Sequence, residues 1–150
     1  LPSNNNSPSY IPYNDRFIMG GNGIPYGNVL RGYDDNRVGP LTSTGNPIGG
    51  NTLVKFSTEF RVPFAENPVV YGMVFAEMGN VWSSTDLMER LSLPRSGPFD
   101  LKRSVGVGVR FFMPMIGMLG FDFARGFDRV DINGKLKPEW KTTLTFGQQF

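Results

Sequence analysis

The chain has 150 residues, enough for one domain, and its 15 Lys and Arg against 13 Asp and Glu give a formal net charge of +2 at pH 7. The basic residues are scattered and form no run, so the sequence does not favour nucleic acid as a partner. Cysteine and histidine are both absent, which excludes disulfides, thiolate metal sites, a Cys nucleophile, the Ser-His-Asp triad and nearly all zinc chemistry.

The rest of the composition favours strands joined by turns. Glycine (19), proline (12) and aromatic residues (13%) are all frequent, and these residue types are typical of turns and strands rather than helices. No apolar stretch approaches the roughly 18–20 residues that a membrane helix needs. The chain begins at Leu1 with a polar run, so we expect a fragment or a processed piece.

Period-2 alternation begins after residue 50 and predicts two strands first. Residues 52–62 place apolar or β-branched side chains at even positions and polar or charged ones, including Glu59, at odd positions. Pro63 is expected to end this strand, with a short turn over residues 63–68. Residues 69–82 predict a more apolar strand that contains Glu77, and a long polar loop follows.

Three further strands are predicted downstream. In residues 103–112 the odd face carries Val105, Val107, Val109 and Phe111, and the even face carries Ser104, two glycines and Arg110. A tight turn leads to residues 118–127, where Asp122 lies on the small-residue face. After a loop with an Asn133-Gly134 turn signal, residues 139–150 place Trp140, Leu144, Phe146 and Phe150 on one face.

Strand length and loop length together predict a transmembrane β-barrel. Each strand has about 10 residues, enough to cross a bilayer at a tilt, and short and long connections alternate as they do in such barrels. The apolar face fits lipid and the polar face fits a lumen. A water-soluble sandwich or lipocalin-like barrel would give the same alternation with the faces reversed. Five strands cannot close in lipid, so further strands must come from elsewhere.

Several motifs in order resemble the end of the barrel in the BamA family of outer-membrane assembly factors. The hallmark is Leu30-Arg31-Gly32-Tyr33, which is similar to the apolar-Arg-Gly-aromatic sequence of extracellular loop six in that family. The other motifs lie at residues 15–21, 38–40, 49–51, 58–60, 75–82 and 106–110, with a terminal strand that ends in Phe150. Single motifs are weak, but their order over residues ~13–150 is specific.

The resemblance implies an all-β fold, the last five strands of a sixteen-stranded antiparallel transmembrane barrel plus loop six. Residues 1–50 correspond to loop six and residues 51–150 to the five strands, with the other strands and the POTRA domains upstream. The implied function is non-enzymatic insertion of proteins into the bacterial outer membrane, without a cofactor or metal. The implied partners are unfolded outer-membrane proteins, accessory lipoproteins and outer-membrane lipid, with no nucleic acid.

The resemblance also implies a latch in which loop six folds back into the barrel. Arg31 would pair with Glu59 and Glu77, which the strand phase places on the lumenal side, because an Arg fork can bind carboxylates with defined geometry. Gly32 would let the backbone approach the wall or adopt a positive φ, and Tyr33 would pack the tip. The alternative is that Arg31 is a solvated turn residue and both Glu are ordinary lumenal charges.

The terminal strand is the second candidate site. Trp140, Leu144, Phe146 and Phe150 resemble the C-terminal recognition signal of outer-membrane proteins, and in the family this strand forms a lateral seam with the first strand. Gly147 lies where the family has a kink-permitting glycine; the alternative is that it only makes room beside lumenal side chains. Separately, Arg110 and Asp122 are predicted to form a structural cross-strand pair in the lumen.

Another class of protein shares the loop motif. A two-partner secretion transporter of the same superfamily exports a protein through its pore and carries the same Arg-Gly-aromatic loop. A passive porin fits the alternation but leaves residues 31–33 unexplained. The number of upstream POTRA domains would distinguish the assembly factor from the secretion transporter.

Overall fold

The computed structural model describes residues 11–23, 27–83, 97–131 and 133–146. Within them the chain forms one short 3-10 helix, Tyr13–Asp15, followed by five β-strands. The strands are β1 (Thr52–Glu66), β2 (Val69–Trp82), β3 (Lys102–Met113), β4 (Gly117–Gly126) and β5 (Trp140–Phe146). No helix among the described residues is long and apolar enough to cross a membrane.

The five strands form one antiparallel sheet in chain order, β1-β2-β3-β4-β5. Strands that follow one another in the chain are neighbours in the sheet, as in an up-and-down barrel. The sheet is open, with β1 and β5 as its two edges. The predicted all-β fold with five antiparallel strands is therefore confirmed, and the sheet is part of a barrel rather than a closed one.

The two faces of the sheet differ sharply in polarity. One face, here called the covered face, packs against residues 11–50, and it buries Glu77, Ser104, Arg110, Asp122 and Thr143. The opposite face, here called the bare face, exposes large apolar side chains along all five strands: Phe56, Phe60, Val74, Met78, Val105, Val107, Val109, Phe121, Phe123, Trp140, Leu144 and Phe146. A water-soluble sandwich buries its apolar face, so the burial is that of a lipid-facing sheet.

Residues 11–50, here called the loop segment, contain no regular strand at their described positions, 11–23 and 27–50, but are well packed. Isolated bridges join Phe17 to Gly50 and Met19 to Val38. Its small core of Met19, Leu30, Tyr33 and Val38 contacts Val81 of β2. The apolar residues of the loop segment thus pack against one another and against the C-terminal end of β2.

The first strand is longer than its sequence predicts. Pro63 was expected to end β1, but the strand continues to Glu66, and only Asn67 and Pro68 form the turn. The register shifts between Pro63 and Ala65. A proline lacks the backbone N–H but is tolerated at a bulge. The boundaries of β2 match the prediction, and those of β3 and β4 lie within one residue of it.

Candidate functional site

The loop segment reaches the sheet through Arg31, whose side chain is buried between β1 and β2. Its backbone N–H donates to Glu77 Oε2 at 2.9 Å, and its Nε and Nη2 donate to Glu77 Oε1 at 3.0 and 2.6 Å. Nη2 also donates to Glu59 Oε1 at 2.6 Å. The structure therefore brings together Arg31, Glu59 and Glu77, the three charged residues of the hypothesised latch.

Further groups surround the carboxylates and the guanidinium. Lys55 Nζ lies 3.4 Å from Glu77, and Arg61 lies 2.6 Å from Glu59. The Arg31 guanidinium carbon sits 3.6 Å from the centre of the Phe75 ring, a cation–π contact. Burial alone would lower the pKa of Arg31, but its contacts with Glu77 and then Glu59 raise the pKa above its ordinary value. The loop thus places a permanent cation between two carboxylates.

Gly32 lies directly against the sheet. It has a φ of +86°, and a Cβ at this position would lie 2.9 Å from the backbone nitrogen of Gly126 and 3.2 Å from Ser104 Cβ. The residue therefore combines a left-handed backbone with a close approach to β3 and β4, both of which favour glycine. This turn directs Arg31 toward β1 and β2 and Tyr33 toward β3 and β4.

We expect Gly32→Ala to destabilise the docked loop more than Gly134→Ala. Gly134 also has a positive φ (+75°) but has open space around a Cβ, so its substitution costs only the backbone term of about 1–2 kcal/mol. Gly32→Ala adds a collision with backbone atoms. The measurement is the free energy of unfolding in urea for the full protein in vesicles, and equal losses at both positions would contradict a close approach at Gly32.

Tyr33 contacts the start of β3 and the chain just after the end of β4. Its hydroxyl donates to the carbonyl of Arg103 at 2.7 Å and accepts the backbone N–H of Asp128 at 3.3 Å. The side chain is buried, and burial raises the pKa of the phenol above its ordinary value, so the hydroxyl stays a donor at neutral pH. Its ring lies over Gly126, where a side chain would collide with it. Tyr33 therefore joins the loop segment to the β3–β4 pair.

Asp34 makes a contact that the sequence analysis did not identify. Its two carboxylate oxygens accept bonds from Lys141 Nζ and Arg129 Nη2, each at 2.8 Å. Lys141 belongs to β5, so residues 31–34 together touch all five strands. Among the described residues, no group of three or more His, Cys, Asp or Glu side chains is placed to hold a metal. Asp34 is thus an ion-pair residue that joins the loop segment to β5 and to Arg129.

The docking of Asp34 is expected to weaken in acid. Burial alone would raise the pKa of Asp34, but Lys141 and Arg129 together lower the pKa below its ordinary value. The contribution of the Asp34 carboxylate to the free energy of unfolding is therefore complete above the unfolded-state pKa of about 4. It is lost as the pH falls through the lower folded-state pKa. The gap in unfolding free energy between the parent and Asp34→Asn should be constant near neutral pH and shrink below about pH 4. A gap that does not change in acid would contradict the ion pair.

Arg110 and Asp122 form a second buried pair on the covered face. Nη1 and Nη2 of Arg110 donate to the two carboxylate oxygens of Asp122 at 2.7 and 2.8 Å, a two-pronged geometry. The pair lies over Gly108 and Gly120, where a Cβ would collide with it. The small residues of β3 and β4 therefore make room for this ion pair.

The candidate seam residues are only partly within the described chain. Trp140, Leu144 and Phe146 are exposed on the bare face of β5, and the Trp140 ring stacks on Phe123 of β4 with ring centres 4.6 Å apart. Gly147 and Phe150 lie outside the described residues. The three described residues share one apolar surface with the bare faces of the other strands.

The edge of β5 that faces away from β4 carries a contact from the loop segment. The N–H of Phe127 donates to the carbonyl of Arg103, and hydrogen-bonded pairs recur at every second residue of an antiparallel ladder. Phe121 therefore directs its backbone groups toward β3, and Leu144, its partner on β5, directs its own away from β4. The amide of Asn22 donates to that Leu144 carbonyl at 3.1 Å. Asn22 thus occupies one ladder position at the edge of the sheet.

A family model described as the Omp85 superfamily domain matches residues 3–150. Among solved structures, the chain is similar to the crystal structure of BamA from Haemophilus ducreyi lacking POTRA domains 1–3, with a TM-score of 0.64 and 22% sequence identity. The match covers 90% of this chain and 28% of that chain. At this identity the likeness shows a shared fold.

Proposed function

The chain belongs to the Omp85 superfamily, and on that premise we propose that it is the C-terminal part of an outer-membrane barrel that inserts other barrel proteins. Superfamily membership and the bare apolar face of the sheet support a place in the outer membrane. The chain spans 28% of the matched BamA chain. Residues 1–50 then serve as extracellular loop six and residues 51–150 as the last five strands, with the remaining strands and POTRA domains upstream.

The observation that carries the proposal is the contact of Arg31 with Glu59 and Glu77. All three side chains belong to motifs that resemble the assembly-factor family, and their hydrogen bonds of 2.6–3.0 Å join the loop segment to β1 and β2. We take this contact as a latch that holds the barrel in its assembly-competent shape. Asp34 and Tyr33 extend the same docking to β3, β4 and β5.

The mechanism that we propose is non-enzymatic and uses no cofactor. In the complete barrel β5 would form a seam with the first strand, and where that seam opens the edge of β5 offers backbone donors and acceptors that can template an incoming strand. Trp140, Leu144 and Phe146 keep this edge in lipid. Clients are unfolded outer-membrane proteins, and accessory lipoproteins would contact the complete protein. A client strand that pairs with β5 must first displace Asn22 from the Leu144 carbonyl.

The test is reconstitution of the full protein that contains this chain in lipid vesicles. The folding rate of an unrelated unfolded barrel protein is measured with and without the reconstituted protein, and ion conductance of the same vesicles is recorded. We expect acceleration of client folding. Conductance without acceleration would contradict the insertase and favour a secretion transporter of the same superfamily.

A further inference from the structure

Two arginines lie on the bare face, among residues that otherwise face lipid. Arg103 is the second residue of β3 and Arg125 is the second-last residue of β4. Both have the strand phase of the apolar bare-face residues, and Val105 lies opposite Arg125 in the ladder. The two arginines are therefore diagonal neighbours, within reach of one another's ligands, at the end of the sheet where residues 127–139 connect β4 to β5.

The charges of these arginines are only partly neutralised. Nε and Nη2 of Arg103 donate to Asp128 at 3.0 and 2.9 Å. Arg125 contacts the Phe127 ring, with 6.0 Å between its guanidinium carbon and the ring centre. Its Nε is buried and has no hydrogen-bond partner, and no carboxylate within the described part of the chain pairs with it. The three charged groups leave a net charge of +1 on the bare face.

A groove of about 410 Å³ lies beside Arg103, and Arg125 lies opposite Val105, which lines the groove. Its floor includes the small side chains Thr58 and Ala76, and its walls include Phe56, Met78, Val105 and Phe127, with Arg103 at the rim. These side chains are all exposed on the bare face. The groove is therefore mostly apolar along its length and cationic near its loop-side end, the polarity of an acyl chain attached to an anionic headgroup.

The position of the groove fits the level of lipid headgroups. Trp140 begins β5 close to Arg125, its ladder partner on β4, and tryptophan is enriched at membrane–water interfaces. An arginine on the lipid face of a barrel costs about 2–4 kcal/mol at mid-membrane but only about 0–1 kcal/mol near the interface. A cation kept at that level without a protein carboxylate is complementary to a lipid phosphate.

We propose that Arg125, assisted by Arg103, binds the phosphate of an anionic lipid whose acyl chain lies in the groove over Ala76. The proposal rests on the membrane-spanning arrangement in the proposed function but does not require insertase activity. The free N–H groups of Arg125 donate to the phosphate oxygens, and Asp128 orients Arg103 at the rim. We expect a lipid rather than free phosphate as the ligand because the groove is apolar along most of its length and can hold an acyl chain.

The test measures lipid retained by the full protein after transfer from nanodiscs that contain equal amounts of phosphatidic acid and phosphatidylcholine with identical acyl chains. Native mass spectrometry counts each lipid. We expect retained phosphatidic acid to exceed phosphatidylcholine by about tenfold, the size of one charge-assisted hydrogen bond. Arg125→Gln removes the phosphate ligand and should bring the ratio near one. Lys137→Gln, the same charge change on an exposed loop residue, should leave it unchanged.

The groove is tested without any change of charge. Ala76→Phe fills the floor and should reduce retained phosphatidic acid, whereas Val107→Phe, on the bare face outside the groove, should not. Equal retention of both lipids by the parent, an unchanged ratio in Arg125→Gln, or full retention in Ala76→Phe would each overturn the proposal. Client folding is measured on the same preparations. Lipid preference without client folding overturns the insertase alone, and client folding without lipid preference overturns the lipid site alone.

Discussion

Replacing Arg31 by Glu is expected to slow insertion of client proteins about a hundredfold or more. The substitution removes the cation that bonds to Glu77 and Glu59 at 2.6 Å and places a third carboxylate beside them. Breaking a buried ion pair by loss of one partner costs about 3–5 kcal/mol, and each ~1.4 kcal/mol shifts the docked population tenfold. The measurement is the client folding rate with reconstituted full protein.

Three variants separate the latch from a general charge effect. Arg37→Glu makes the same charge change at an exposed position of the loop segment and should keep parent activity. Arg31→Lys keeps the charge but loses the planar fork and should be intermediate. Arg31→Glu combined with Glu77→Arg should recover part of the activity. If the Arg31→Glu protein is folded by its gel mobility and accelerates client folding as well as the parent does, the latch hypothesis is wrong.

Replacing Asp122 by Ala is expected to lower the free energy of unfolding by about 3–5 kcal/mol. The change leaves the Arg110 guanidinium buried without its carboxylate, in a site where the two side chains are only 6% and 1% exposed. The midpoint of urea unfolding of the full protein in vesicles reports the loss. Client insertion should fall only as far as the folded fraction falls.

The control for this prediction is Glu66→Ala, which removes a carboxylate from the exposed end of β1 and should change stability by no more than about 0.5 kcal/mol. Arg110→Leu with Asp122→Ala should be less destabilised than Asp122→Ala alone, because no unpaired charge remains buried. A parent-like midpoint for Asp122→Ala would mean that water reaches Arg110 in the closed barrel.

Much of the sheet could be predicted because alternation along a strand is a local property. The sequence of ten residues is enough to predict the phase of β3, with Val105 and Val107 on one face and Arg110 on the other. The structure confirms this phase. The end of β1 could not be predicted in the same way. Pro63 is a strand terminator by local rules, but the bulge that accommodates it depends on the partner strand.

The candidate site was only partly legible for a similar reason. Glu59 and Glu77 share a face by strand phase, so an ion-pair site with the Arg-Gly-aromatic loop could be hypothesised. The partners of Asp34 are 95 and 107 residues away, and no periodic pattern joins them. The partners of Tyr33 are the backbone groups of Arg103 and Asp128. Every residue has such groups, so the sequence carries no signal that identifies these partners. The only available signal was Lys141, whose phase placed it on the lumenal face.

The contacts of the loop segment also set an order of folding. Arg31 meets Glu77 across 46 residues, but Asp34 meets Lys141 across 107 and Asn22 meets Leu144 across 122. Closing longer loops costs more entropy, and contacts distant in sequence form slowly. The first half of the docking can therefore form when only β1 and β2 are paired, whereas the second half must wait for the last strand. The loop segment can therefore make all of its contacts only after β5 has paired with β4, so a fully docked loop indicates that the last strand is in place.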